Sequence, residues 1–131
     1  RFSNMVNLRH YQSKYPDLQK LIHRLHLFGY SVRLSCTLIK GYIDSVSQAK
    51  KMIASARLWQ SEHLTLRLVA APKSSENLAV KNWTQKHALS ESQVNNLSKF
   101  FESEAHRLVT FDYGGAIYDY QGQNVCFTKY K

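Results

Sequence analysis

A chain of 131 residues has room for one ordinary domain, and at this size folding buries roughly two thirds of the surface that the unfolded chain exposes. Apolar residues make up 44%, but no run approaches the ~20 consecutive apolar positions of a membrane helix, which excludes a spanning segment of that kind. Eighteen Lys and Arg against nine Asp and Glu give a net charge of +9, which favours phosphates, anionic cofactors or acidic partners.

In chain order, Pro16 to Phe28 places Leu18, Leu21, Ile22, Leu25 and Phe28 at helical spacing, with Pro16 in the first turn and Gly29 just past the end. Ser31 to Ile39 alternates at period two, Val32, Leu34, Cys36 and Leu38 against Arg33, Ser35 and Thr37, and predicts a strand. Gly41 ends it. Ser45 and Gln48 form an S-x-x-Q capping box that opens a helix to about Trp59, with Val46, Ala49, Met52, Ile53 and Ala56 as its buried stripe. His63 to Val69 alternates again, Leu64, Leu66 and Leu68 against Thr65, Arg67 and Val69. Ala70 to Leu89 reads as the longest irregular connection, with one helical turn near Trp83, a length typical of a functional loop or lid. A second box, Ser90 with Gln93, starts a helix to about Ala105 carrying Val94, Leu97, Phe100 and Phe101. Arg107 to Phe111 is expected as a third strand. Beyond Gly114 and Gly115, the runs 116–120 and 124–128 flank Gln121-Gly122 as a hairpin.

Strands that alternate with helices argue for βαβ units and a parallel sheet, because a parallel crossover needs a dozen or more residues. The expected class is α/β, a partial (β/α) barrel ending in a β-hairpin, with a small α+β domain as the alternative. Three parallel strands cannot close an eight-stranded barrel, so residues 1–131 form either one small domain or a piece of something larger. The opening Arg1-Phe2-Ser3-Asn4 shows no secretory leader and reads as the interior of a longer reading frame or as a trimmed product. Two cysteines 90 positions apart, Cys36 and Cys126, suit a reduced, cytoplasmic protein with two buried thiols.

Most catalytic motifs are missing. The six histidines, His10, His23, His26, His63, His87 and His106, form no i,i+4 pair and approach no cysteine at finger spacing, so no metal site is expected. Neither cysteine has the local signature of a nucleophile. The five glycines lie at the wrong spacings for a phosphate loop. Ligands of parallel α/β sheets bind outside the carboxyl ends of the strands, which raises the interest of Thr37, Lys40, Arg67, Asp112 and Tyr113. Arg67 stands out, because an arginine between Leu66 and Leu68 is costly to bury without a carboxylate or phosphate beside it.

The run from Tyr15 to Leu68, with PDLQKLIHRLHLFGYSVRLSCTLIKGYIDSVSQAKKMI and then HLTLRLV, resembles the second half of the barrel in radical S-adenosylmethionine proteins. The spacing of Trp83, His87 and Leu89, the YGGAIYDY segment and the closing GQNVC are similar to the tail of one bacterial subgroup. The C-x-x-x-C-x-x-C motif that holds a 4Fe–4S cluster is absent. The resemblance therefore implies a carboxyl-terminal half-barrel, the substrate and S-adenosylmethionine side of an enzyme, inactive alone. Cluster and S-adenosylmethionine would belong to the parent protein, neither held by this chain by itself, and the partner would be the amino-terminal half. It also implies that Ser35, Thr37, Lys40 and Arg67 lie near the cofactor pocket, with no catalytic residue and no metal ligand in this chain.

Half a barrel leaves sheet edges unpaired and an apolar inner face uncovered, so the piece alone is expected to form a homodimer. Two other functions fit the composition. One is a small basic nucleic-acid-binding module. The other is a non-catalytic interaction domain that docks a protein through a sheet edge or the Tyr113, Tyr118 and Tyr120 hairpin.

Overall fold

The computed structural model describes residues 16–70 and 77–128. His10, the Tyr15 start of the resemblance and the 71–76 part of the long connection lie outside the described residues. Helix α1, Leu18–Leu27, starts where the Asp17 carboxylate accepts the Lys20 amide at 3.1 Å. It ends where Gly29, at φ +81°, lets the Tyr30 amide turn back to the Leu25 carbonyl at 3.1 Å. Strand β1, Arg33–Leu38, and helix α2, Val46–Leu58, follow. The Ser45 hydroxyl accepts the Gln48 amide at 3.3 Å, but the Gln48 side chain takes the amide of Asp44 at 2.9 Å, so only half of the expected box forms.

Strand β2, His63–Leu68, leads toward α3, Leu78–His87, a ten-residue helix where the sequence predicts an irregular segment with one turn. Periodicity misses it because the helix buries little: Leu78, Val80 and Trp83 are exposed and only Thr84 is buried. Local bonds define it instead. Asn77 caps the Val80 amide at 3.2 Å, Trp83 stacks on His87 at 4.4 Å, and the His87 carbonyl accepts the Lys40 amide at 2.9 Å. In α4, Glu91–Glu104, the Ser90–Gln93 box is complete in both directions.

Strands β3, His106–Thr110, β4, Gly115–Tyr120, and β5, Gln123–Thr128, complete one open sheet of order β1-β2-β5-β4-β3. β1, β2 and β5 are parallel neighbours, whereas β4 is antiparallel to both β5 and β3. The fold is therefore α/β, a mixed five-stranded open sheet with four helices among the described residues. β3 runs in the same direction as β1, β2 and β5, as the alternation of elements suggests, but it pairs only with antiparallel β4, and β5 takes the place beside β2. The segment between β3 and β4 is too short for a parallel crossover, so those strands reverse. The Gln121-Gly122 turn, with φ of 52° and 82°, reverses the chain again and returns β5 to the direction of β2.

The parallel strands advance in one direction, β1 to β2 to β5. Right-handed crossovers in such an order stack their helices on the same side. Ala49, Met52, Ile53 and Ala56 of α2 and Leu97, Phe100 and Phe101 of α4 meet Cys36, Leu38, Leu64, Leu66, Val125 and Phe127 in the core. Phe101 is its centre, fully buried with ring centroids 5.1 Å from both Phe127 and Tyr118. Truncating such a ring to alanine costs about 3–5 kcal/mol. No described helix is long and apolar enough to cross a membrane.

Helix α1 is tied down by a carboxylate. Glu62 accepts the Val32 amide at 2.6 Å with one oxygen, and its other oxygen lies 2.8 Å from His26 Nε2. The Val32 amide, and then His26, hold the Glu62 carboxyl below its ordinary range, partly against desolvation. A depressed carboxyl contributes stability above its unfolded pKa and loses it as pH falls through the folded one. The wild-type chain should therefore lose melting temperature on acidification below the ordinary glutamate pKa more steeply than Glu62→Gln. At neutral pH the variant should melt lower. Thermal melts by circular dichroism across that pH range check both outcomes.

Candidate functional site

The period-two geometry that sends Leu34, Cys36, Leu64 and Leu66 into the core sends their neighbours to the opposite face. The register aligns those neighbours in rows. Arg33, His63, Asn124 and Asp119 form one row at the amino ends of the parallel strands. Ser35, Thr65, Cys126 and Ile117 form the next, and Thr37, Arg67, Thr128 and Gly115 the third, toward the carboxyl ends. A concavity of about 550 Å³ opens on this face, lined from β1 by Arg33 and Ser35, from β2 by His63, Thr65 and Arg67, and from β5 by Cys126 and Thr128. That volume falls in the range of small-molecule sites.

Its aromatic rim comes from the β3–β4 turn. The Phe111 amide donates to the Gly115 carbonyl at 2.8 Å, and the Phe111 and Tyr113 rings stack with centroids 5.1 Å apart and planes within 6°. Tyr113 fits against the sheet because position 115 lacks a side chain: a Cβ there would stand 2.9 Å from Tyr113 Cε2. Both rings, with Ile117, complete the lining.

The charge on this face is positive. Among the described residues neither Arg33 nor Arg67 has a carboxylate within ion-pair distance. Desolvation, and then the Arg33 charge, push the His63 pKa below its ordinary value of 6.5, which favours the neutral imidazole at pH 7. Hydroxyls supply donors and acceptors between the arginines, and the Thr128 hydroxyl lies 3.6 Å from the Cys126 thiol.

Of the four residues that the resemblance implies, Ser35 and Arg67 line the concavity. Thr37 is the register partner of Arg67 and shares its face, outside the lining. Lys40 is separate: it lies beyond the end of β1, exposed, with its amide bonded to α3. Tyr113 joins the lining and Asp112, in the same turn, does not. Arg67 is exposed, so the burial cost expected of it does not arise. The concavity on this face is mixed and cationic rather than wholly apolar, because its strand positions are held mainly by Arg, Ser, Thr and His, with Ile117 and the Phe111 and Tyr113 rings beside them. Arg33, His63, Thr65, Cys126 and Thr128 follow from the same alternation once the face opposite the core is recognised as the open one.

The chain does not fit a 4Fe–4S cluster. Three thiolates on one loop are required, whereas Cys36 lies in the helix-covered core and Cys126 on the opposite face of the sheet. No group of three or more His, Cys, Asp or Glu among the described residues is arranged to hold a metal.

The two thiols also differ in reactivity. Burial pushes Cys36 up to about 11, while Cys126 is only partly buried. One equivalent of a thiol reagent should therefore react quickly at neutral pH, with Cys36 reacting only on unfolding, and Cys126→Ser should abolish the fast phase. Gly115→Ala should leave helix content unchanged while displacing Tyr113. Chemical shifts of the Tyr113 ring protons and the Thr128 amide test that displacement. Compared with family models, curated proteins and solved structures, the chain matches none.

Proposed function

We propose that this chain is the carboxyl-terminal, substrate-side portion of a radical S-adenosylmethionine enzyme, supplying one wall of the pocket in which S-adenosylmethionine and substrate meet. The observation that carries the reading is the one-sided sheet. Parallel strands in one-directional order, with α2 and α4 on one face and a polar concavity on the other, have the layout of a barrel wall seen from its lumen. In a barrel wall the helix-covered face is apolar and the inner face near the strand ends carries the ligand contacts. Ser35, Thr37 and Arg67 lie on that inner face, with Arg67 and Thr37 toward the carboxyl ends of their strands. Lys40, beyond the strand, is left out of the proposed wall.

In this reading the cluster and its cysteines belong to another part of a longer protein. This chain's residues bind and orient the ligand and exclude water from one side. When bound, the cluster would supply the electron that cleaves S-adenosylmethionine. The homodimer expected of the isolated piece rests on unpaired sheet edges and an uncovered apolar face; among the described residues β1 and β3 are the sheet edges, and the face opposite the core mixes polar strand positions with Ile117 and the Phe111 and Tyr113 rings.

The reading predicts that the coding sequence upstream of this chain contains a C-x-x-x-C-x-x-C. It further predicts that the extended protein, loaded with iron and sulfide and reduced without oxygen, releases 5′-deoxyadenosine from S-adenosylmethionine, while residues 1–131 alone release none. An upstream sequence without the motif, or a loaded protein that yields no 5′-deoxyadenosine, would sink it.

A further inference from the structure

S-adenosylmethionine carries a sulfonium and an ammonium against a single carboxylate, so it is a net cation near neutral pH. The concavity is cationic as well: Arg33 and Arg67 line it and no aspartate or glutamate does, while Asp119, on the same face at the amino-end row, lies outside the lining with its carboxylate accepting the Gly122 amide at 3.1 Å. Like charges facing one another across a partly desolvated cleft repel, whereas an anion is drawn in. From the charge of this face, its aromatic rim and its size, we infer that it holds an acidic, flat-ringed substrate, with the acid on Arg67 and the ring against Tyr113. The inference rests on the proposed function for the word substrate, but its chemistry rests on this face alone.

Three features support that arrangement. Arg67 is exposed and without an ion-pair partner among the described residues, so its guanidinium has a planar fork of donors available for a carboxylate or phosphate. Tyr113 is 58% exposed although it is stacked on Phe111 and seated over Gly115. A large ring held in place with one side uncovered is a stacking platform. Both residues line the same concavity of about 550 Å³, together with Thr128, whose hydroxyl lies against the same glycine position. That volume suits one small molecule rather than the several nucleotides a single-stranded nucleic acid lays along a groove.

The test uses the chain itself with benzoate as probe, followed by amide chemical shifts and calorimetry. Benzoate should bind weakly and shift Thr65, Arg67, Tyr113 and Thr128, whereas benzamide, with the same ring and no charge, should bind about tenfold or more weaker. Arg67→Gln should reduce benzoate affinity by about the same factor with an unchanged circular dichroism spectrum, and Arg67→Lys should retain part of it. Tyr113→Ala should weaken benzoate but leave inorganic phosphate unaffected. Equal binding of benzoate and benzamide, or full affinity in Arg67→Gln, would overturn the inference. So would S-adenosylmethionine displacing benzoate from Arg67, or an octathymidylate binding far more tightly than benzoate at the same salt. The upstream motif and 5′-deoxyadenosine release are independent of these titrations, so failure of benzoate binding removes the acidic substrate alone, and failure of the former removes only the enzyme assignment.

Discussion

The structure depends on the direction in which its parallel strands advance. Because β1, β2 and β3, the strands that the helical crossovers join, follow one another across the sheet without reversing, α2 and α4 share one face. A reversal of order would have placed helices on both faces and created a switch-point crevice at the strand ends. Here the consequence is a single apolar core, centred on Phe101 and the two alternating rows of leucines, and an opposite face whose concavity is lined, among the described residues, by strands and the β3–β4 turn alone. Every feature of the candidate site follows from that asymmetry.

The open face shows how one strand serves the core and the candidate site together. In β2, Leu64 and Leu66 are fully buried while Thr65 and Arg67, one residue away, face the concavity. Each core side chain fixes the backbone that presents its neighbour, so the binding groups stand on rigid elements rather than loops. The aromatic rim is the exception. Phe111 and Tyr113 occupy a turn held by two backbone bonds of Phe111, to the Gly115 carbonyl and from the Gly114 amide, and by the missing side chain at 115. This is the adjustable part of the site, and the part where a substitution changes the cleft without disturbing the core.

The two cysteines illustrate the same division. Cys36 on β1 and Cys126 on β5 are separated by β2, and one is sealed under helices with its thiol proton held by burial while the other lines the concavity. Their separation by the thickness of the sheet excludes a shared metal cluster more firmly than their spacing in the chain.

The sequence alone determined the local elements. Period-two alternation marked β1 and β2, the 3.6-residue stripe marked α1, α2 and α4, the S-x-x-Q signals marked two helix starts, and Gln121-Gly122 marked the hairpin. Those are short-range properties, set by residues a few positions apart. It could not mark α3, whose apolar residues remain exposed and give no amphipathic stripe, nor pair β5 with β2, since strand adjacency is a long-range choice. Tertiary structure alone decided that Ser35 and Arg67 share a cleft with Arg33, Cys126 and Tyr113, while Lys40 does not. Which face a strand shows to the helices depends on the handedness of its crossovers and on the core they close, and neither is written in the strand itself.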